Sequence, residues 1–296
     1  MTRFVDQLAT EQWAIVPAEL LKIAAIVRNR EVRDRAPQAG VDFQKRDYQM
    51  LAGPRARRLE GAHNAFEVDG VAIIPVMGPI FPRANMMTEF SGATSISTLQ
   101  HDYRAALENR DIEAILLQVD SPGGVVSGVA AFADTVAAGN QRKATTAHVM
   151  GMAASAAYWI ASAAGRITLD RTDLVGSIGV VTAVPVQVAP DANGDMWIEI
   201  VSSNAPNKRP DPMSEAGHAE ILAGLNAIEE IFVADVAKGR KVPVEKVLAD
   251  FKRGGVERGA AAVKLGMADK VQSYDATLAE VRQAAANQRR MNRLKS

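Results

Sequence analysis

Residues 112–165 read "IEAILLQVDSPGGVVSGVAAFADTVAAGNQRKATTAHVMGMAASAAYWIASAAG". "IEAILLQVD" is a strand pattern with a nearly continuous apolar core, as expected when both faces of a sheet are covered. "SPGG" follows as a turn. "VSGVAAFADTVAAGNQ" carries a helical pattern that stops at Gly139–Asn140. "KATTAHVMGM" is a second strand, and "AASAAYWIASAAG" reads as a small, apolar helix directly after it. This alternation predicts an α/β domain with a largely parallel sheet.

The pattern extends both ways. Upstream, "FEVDGVAIIPVMGPI" (66–80) is a β-rich run ended by Gly78–Pro79. "TSISTLQHDYRAALENRD" (94–111) opens with hydroxyl residues and continues as an amphipathic helix. Downstream, "GRITLDRTDLVGSIGVV" (165–181) returns to strand. "MWIEIVSS" (196–203) reads as another strand and "EAGHAEILAGLNAIEEIFVADVAKG" (215–239) as a long helix. Residues 1–35 read as helical from the apolar spacing of "PAELLKIAAIVRNREVRDR". Residues 36–65 are rich in Pro, Gly and Arg and read as a linker, with Arg55, Arg57 and Arg58 solvated. The expected organisation is an N-terminal helical extension and linker (1–65), a central domain (66–275) and a basic helical tail (276–296), a frayed terminus or an assembly arm.

Composition excludes several classes. Lys plus Arg is 34 and Asp plus Glu is 34, so no net field favours nucleic acid or an anionic membrane. Cysteine is absent, which removes disulfides, thiolate metal sites and a Cys nucleophile. His63, His101, His148 and His218 are scattered without paired ligand spacing, so no metal or other cofactor is expected. No run approaches membrane-spanning length, and the N-terminus has no signal-peptide pattern. A cytoplasmic, unanchored protein is expected.

Sites in parallel sheets gather at the carboxyl ends of the strands. Two junctions lie there. In "DSPGGVVSG" (120–128), Gly123–Gly124 lets the backbone approach a ligand, and the helix that follows offers free N–H groups. An ordinary tight turn is the plainer reading. A phosphate loop is the third, but the GKS/T ending and the dinucleotide glycine spacing are both absent. At the second junction Ser155 opens an apolar helix, where a serine is most often an N-cap. Small neighbours at Gly151, Ala153, Ala154, Ala156 and Ala157 leave room beside its hydroxyl, and the Gly-Gly turn is one strand away.

A serine nucleophile needs a base. His148 lies inside a strand and reads as a packed core residue, and His218 lies on a polar, exposed helix start. A lysine serves when burial favours its neutral form. Lys208 stands in "VSSNAPNKRPDPMSEAG" (201–217), a loop of the kind that positions functional groups. A solvated loop lysine is the plainer reading.

Taken together, "VAIIPVMGPI", "LLQVDSPGGVVSG", "GMAASAAYWIASAAGRI", "VGSIGVV", "SNAPNKRPDPMSEAG" and "RGGVERGAAAVKLGMADKV" resemble the signal peptide peptidase A (protease IV) family of serine peptidases. The likeness runs from about residue 66 to 275, and the phage head-maturation proteases are the nearest type. The resemblance implies a Clp-protease/crotonase-like superhelix of ββα units. It implies Ser155 as nucleophile, Lys208 as general base, and the N–H groups of Gly124 and Ala156 as oxyanion hole. Gly123, Val125 and Gly151 would line the substrate. Arg209 and Pro210 stand where the family has an acid and its usual loop pattern. The resemblance also implies protein or peptide substrates such as capsid, portal or scaffold proteins, and a homo-oligomer in which a neighbouring subunit can complete the lysine. Other readings of the same residues remain: a cytoplasmic protease IV-like peptidase, a crotonase-like acyl-thioester enzyme, and a catalytically dead assembly protein.

Overall fold

The computed structural model describes residues 12–16, 53, 55–84, 93–184, 186–190, 194, 196 and 198–295. In chain order the strands are β1 (Trp13–Ile15), β2 (Arg57–Arg58), β3 (Phe66–Val68), β4 (Val71–Met77), β5 (Ile80–Phe81), β6 (Thr94–Ser95), β7 (Ala114–Ser121), β8 (Gly123–Val125), β9 (Ala144–Ala154), β10 (Arg166–Leu169), β11 (Leu174–Gly176), β12 (Val256–Arg258) and β13 (Lys270–Val271). The helices are α1 (Ile96–Glu108), α2 (Val129–Asn140), α3 (Ala156–Ser162), α4 (Glu215–Arg240), α5 (Val244–Asp250), α6 (Gly259–Leu265) and α7 (Tyr274–Lys295).

The expected parallel sheet is present. β4, β7 and β9 lie side by side in parallel register, joined by α1 and α2 as crossovers. β9 is long enough to take two further parallel neighbours, β10 along its first half and β11 at its end. Antiparallel β3 and β2 close one edge, and β12 pairs antiparallel with β11 at the other. A second small sheet has the order β1-β8-β5-β6 and stands over the end of β7.

Helices cover both faces of the main sheet, which explains why β4 is buried along its whole length. On one face Leu99, Tyr103, Phe132, Val136, Trp159 and Phe232 pack with the strand residues in one core. Every residue of α3 is buried, as a helix apolar all round must be. Trp159 stacks on Phe232 of α4 with centroids 4.4 Å apart, and its indole N–H donates to Asp235 at 2.8 Å. Burying a ring of this size stabilises by about 2–3 kcal/mol. Ser162 donates to the Trp159 carbonyl at 2.8 Å and has a structural role within the helix.

Three sequence expectations need correction. The tail is helical as expected but its first half is not frayed: α7 lays Leu278, Val281 and Ala285 on Val71, Ile73 and Leu116 of the second sheet face. The apolar spacing of "LAEVRQAAA" finds its partner only when the sheet exists. Likewise the 1–65 boundary cuts through the domain. Arg57 pairs with Glu67 across β2 and β3, Arg58 lies over the Phe66 ring, and Arg55 pairs with Asp69. Asp102 accepts the backbone N–H groups of His63 (2.6 Å) and Asn64 (2.8 Å), which fastens this stretch to α1. Finally, "MWIEIVSS" forms no strand over its described residues, because Ile198 (83% exposed) and Ile200 (92%) meet no sheet edge among the described residues. Of the helix expected over 1–35, only residues 12–16 are described, and they are extended.

The segment "RGGVERGAAAVKLGMADKV", one of the stretches that carry the resemblance, forms β12, α6 and β13. α6 and β13 return the chain to β10, and Asp269 accepts two bonds from Arg240 (2.8 and 3.0 Å) and one from the Ile167 N–H (2.6 Å). Burial acts to raise the Asp269 pKa, but these donors and the nearby Arg166 outweigh it and hold the carboxyl below its ordinary value. The stability it contributes is therefore present at neutral pH and is lost as pH falls through that lowered value.

Candidate active site

Ser155 sits alone between the end of β9 and the start of α3, with φ 56° and ψ −120°. That conformation strains any residue with a Cβ, and it persists because its surroundings dictate it. The Ser155 N–H donates to the Gly176 carbonyl at 2.7 Å, and its carbonyl accepts from the Trp159 N–H at 2.9 Å. The N-cap explanation fails, since the side chain makes no capping bond. The nearest acceptor for the hydroxyl is the Gly179 carbonyl at 3.5 Å, the outer limit of a hydrogen bond. A sharp strand-to-helix elbow of this kind also presents the nucleophile of α/β hydrolases.

β8 lies directly against this elbow. A Cβ built on Gly123, whose φ is +98°, would stand 2.9 Å from the Ser155 Cβ. One on Gly124 would stand 1.9 Å from the Ile80 carbonyl, so the close approach of β5 demands glycine there. The turn is held by Ser121, which donates to the Gly78 carbonyl (2.6 Å) and accepts from the Gly123 N–H (3.2 Å). Ala156, fully buried, is the first residue of α3, where backbone N–H groups have no intrahelical acceptor. The fold thus brings Gly123, Gly124, Ser155 and Ala156 together, with Val125 buried at the end of the same strand. Gly151 falls elsewhere. Its neighbours are the carboxylates of Asp120, 2.9 Å from a built Cβ, and Asp173, which accepts its N–H at 3.0 Å. The Asp120 pKa is raised by burial first and by Asp173 as well, against a backbone hydrogen bond from Met152.

Lys208 is exposed, in the 3₁₀ turn Pro206–Lys208. Among the described residues no hydrogen bond joins it to Ser155. His148 is a core residue, as its place in a strand suggests. It is 2% exposed, its Nδ1 lies 2.8 Å from the Thr168 hydroxyl, and its ring packs beside Tyr274. His218 is exposed on α4.

Burial lowers the His148 pKa to about 4, against a small opposing pull from Asp170. The unfolded chain carries an ordinary histidine near 6.5. Below that value the unfolded state takes up the proton first. Stability should therefore fall as pH drops from about 6.5 toward 4, by roughly 3 kcal/mol from this group. Urea unfolding across this range checks it: His148→Gln should flatten the slope and keep any hydrolytic activity.

Against this geometry stand the comparisons with known proteins. The family model described as "Peptidase family S49" matches residues 137–288, from the end of α2 through most of α7. This chain belongs to peptidase family S49. A Clp protease model matches residues 96–177, which hold the Gly-Gly turn and Ser155. The Clp-like fold and the S49 membership agree with the parallel sheet and its elbow. Among curated relatives, the chain is 28% identical to the head-tail preconnector protein GP5 of Enterobacteria phage P21, over 79% of this chain and 47% of that one. It is 28% identical to the capsid assembly protease C of Escherichia phage lambda (76% and 50%) and 27% identical to Protease 4 of Haemophilus influenzae (74% and 35%). The chain thus spans half or less of the length of these relatives. A solved structure of the 1510-N membrane-bound stomatin-specific protease aligns with TM-score 0.42 at 16% identity, over 68% of this chain and 78% of that one. No described helix is long and apolar enough to cross a membrane, and no group of potential metal ligands occurs among the described residues.

Sequence reasoning missed two parts of the site. One is the Gly179 carbonyl beside the hydroxyl. The other is β1, which lies against β8. "WAIV" followed by Pro17 is an aromatic and β-branched run before a breaker, a strand signal. The helical spacing of the next twenty residues concealed it.

Proposed function

We infer that this chain is a serine endopeptidase in which Ser155 and Lys208 form the catalytic dyad. The observation that carries the reading is the strained, uncapped Ser155 elbow packed against the Gly123–Gly124 strand. Ser155 Oγ attacks the scissile carbonyl as the neutral Lys208 amine takes its proton. The negative charge that develops on the carbonyl oxygen is met by the N–H groups of Gly124 and Ala156. Lys208 then returns the proton to the leaving amine, and water hydrolyses the acyl-serine by the same route. Each oxyanion donor contributes about 2.7–4 kcal/mol of transition-state stabilisation.

Lysine acts as a base in its neutral form, which removal from water favours. A homo-oligomer supplies that removal if a neighbouring protomer packs on the segment that carries Lys208. The exposed apolar side chains on either side of Lys208 support this: Val188 is 88% exposed, Ile200 92% and Met213 76%.

The similarity to a capsid assembly protease and a head-tail preconnector protein points to phage head proteins as substrates. Co-expression with coat, portal and scaffold proteins encoded beside this gene tests it. Intact-mass analysis should show new termini with the wild-type chain and none with Ser155→Ala. Correct shells without any cleavage would favour an assembly role for the domain.

A further inference from the structure

β1 lies beside Ser155 between the edge of β8 and Val181, which it meets through an isolated bridge. On one edge it pairs antiparallel with β8, in the register Trp13↔Val125, Ala14↔Gly124 and Ile15↔Gly123. Val126 N–H donates to the Gln12 carbonyl and Val16 N–H to the Pro122 carbonyl, both at 3.0 Å. On its other side Trp13 and Val181 exchange N–H···O bonds of 2.9 and 2.8 Å in that bridge. The bonded pairs of an antiparallel ladder alternate. Gln12–Val126 and Val16–Pro122 therefore make Ala14–Gly124 the bonded pair between them, and the Gly124 N–H faces the Ala14 carbonyl. That carbonyl oxygen lies 2.1 Å, and the Ser155 Cβ 2.9 Å, from one point, the Cβ position of Gly123.

The side chains alternate as a bound peptide's would. Ala14 joins the core that holds Ala153 and Ala156. Trp13 and Ile15 turn the other way into a pocket with Phe81 and Val125, where the Trp13 ring meets Phe81 edge-on at 6.0 Å. Ser155 is 1% exposed with this strand in place.

We propose that residues 12–16 occupy the peptide-binding cleft as a built-in pseudosubstrate. A substrate enters by displacing them and pairs in the same register. It places a small residue at the position of Ala14 and a large apolar one at that of Trp13. Backbone bonds supply affinity in strand addition, and the alternate side-chain pockets supply selectivity. Occupancy of the cleft follows from the pairing, whereas the link to turnover rests on Ser155 being the nucleophile.

The test separates the two. In the full-length Ser155→Ala chain, a fluorescently labelled Gln-Trp-Ala-Ile-Val peptide should bind weakly by anisotropy. Adding Trp13→Ala, which empties the apolar pocket, should tighten binding about tenfold or more, because a competent state held at a small fraction weakens apparent affinity by that fraction. Ala14→Pro removes a ladder N–H and should act likewise. The same peptide with Trp replaced by Ala should bind neither opened chain. With Ser155 present, Trp13→Ala should lower KM for a peptide substrate while kcat holds. If both opened chains are folded by circular dichroism and bind no better than their parent, the proposal is overturned. Tighter binding without hydrolysis in any chain that keeps Ser155 would retain the pseudosubstrate and reject the peptidase.

Discussion

Replacing Ser155 by Ala should reduce peptide hydrolysis by roughly 10⁴–10⁶-fold, as loss of the nucleophile from a catalytic unit does. Fold and assembly should be unchanged, since the hydroxyl makes no capping bond and its one acceptor is 3.5 Å away. Ser155→Gly separates catalysis from strain. Glycine adopts φ 56° without the steric cost that a Cβ brings. Ser155→Gly should therefore be as inactive as Ser155→Ala yet more stable, by about 1 kcal/mol after the entropy of a freer unfolded chain is deducted. Hydrolysis of a labelled protein substrate and thermal unfolding give the two readouts. Hydrolysis by either variant would move the nucleophile elsewhere, and a lower melting point for Ser155→Gly would reject the strain account.

Lys208→Ala should be nearly as damaging as Ser155→Ala, because members of a catalytic unit lose activity together rather than additively. The exposure of Lys208 in its own chain makes a stronger prediction. If a neighbouring protomer supplies the base, two dead chains should rescue each other. In a random one-to-one mixture of Ser155→Ala and Lys208→Ala chains, about a quarter of the sites would pair an intact serine with an intact lysine. Co-refolded mixtures should regain activity on that scale, whereas chains that pair the residues internally regain none. An active Lys208→Ala chain would remove lysine from the mechanism. In that case His148 would be a poor substitute, since it is buried against Thr168 and faces α7.

The sheet was legible because its signals are local. β7 and β9 are apolar runs bounded by turns, and the two junctions that follow them fall where a parallel sheet places its sites. Ser155 was legible as a candidate for the same reason, although its neighbours fit an N-cap equally well. Lys208 stands out through the composition of its loop, and the chain leaves it solvated. Gly151 was selected for its small size and proximity in sequence. It packs against Asp120, since four steps along the extended strand, about 13 Å, separate it from Ser155.

The amino-acid sequence by itself determined the βαβ order, the two strand-to-helix junctions and the position of the candidate serine, because each depends on residues adjacent in the chain. Only the tertiary structure decided what Ser155 faces and what covers it. The positive φ of Ser155 comes from its bond to Gly176 and from the packing of α3, and the adjacency of Gly123 comes from β8 lying between β5 and β1. The Trp13–Ile15 segment shows the difference most clearly. Its neighbours in sequence favour a helix, and the edge of β8 together with a single bridge to Val181 holds it extended beside the hydroxyl, because backbone pairing with distant parts of the chain outweighs local preference.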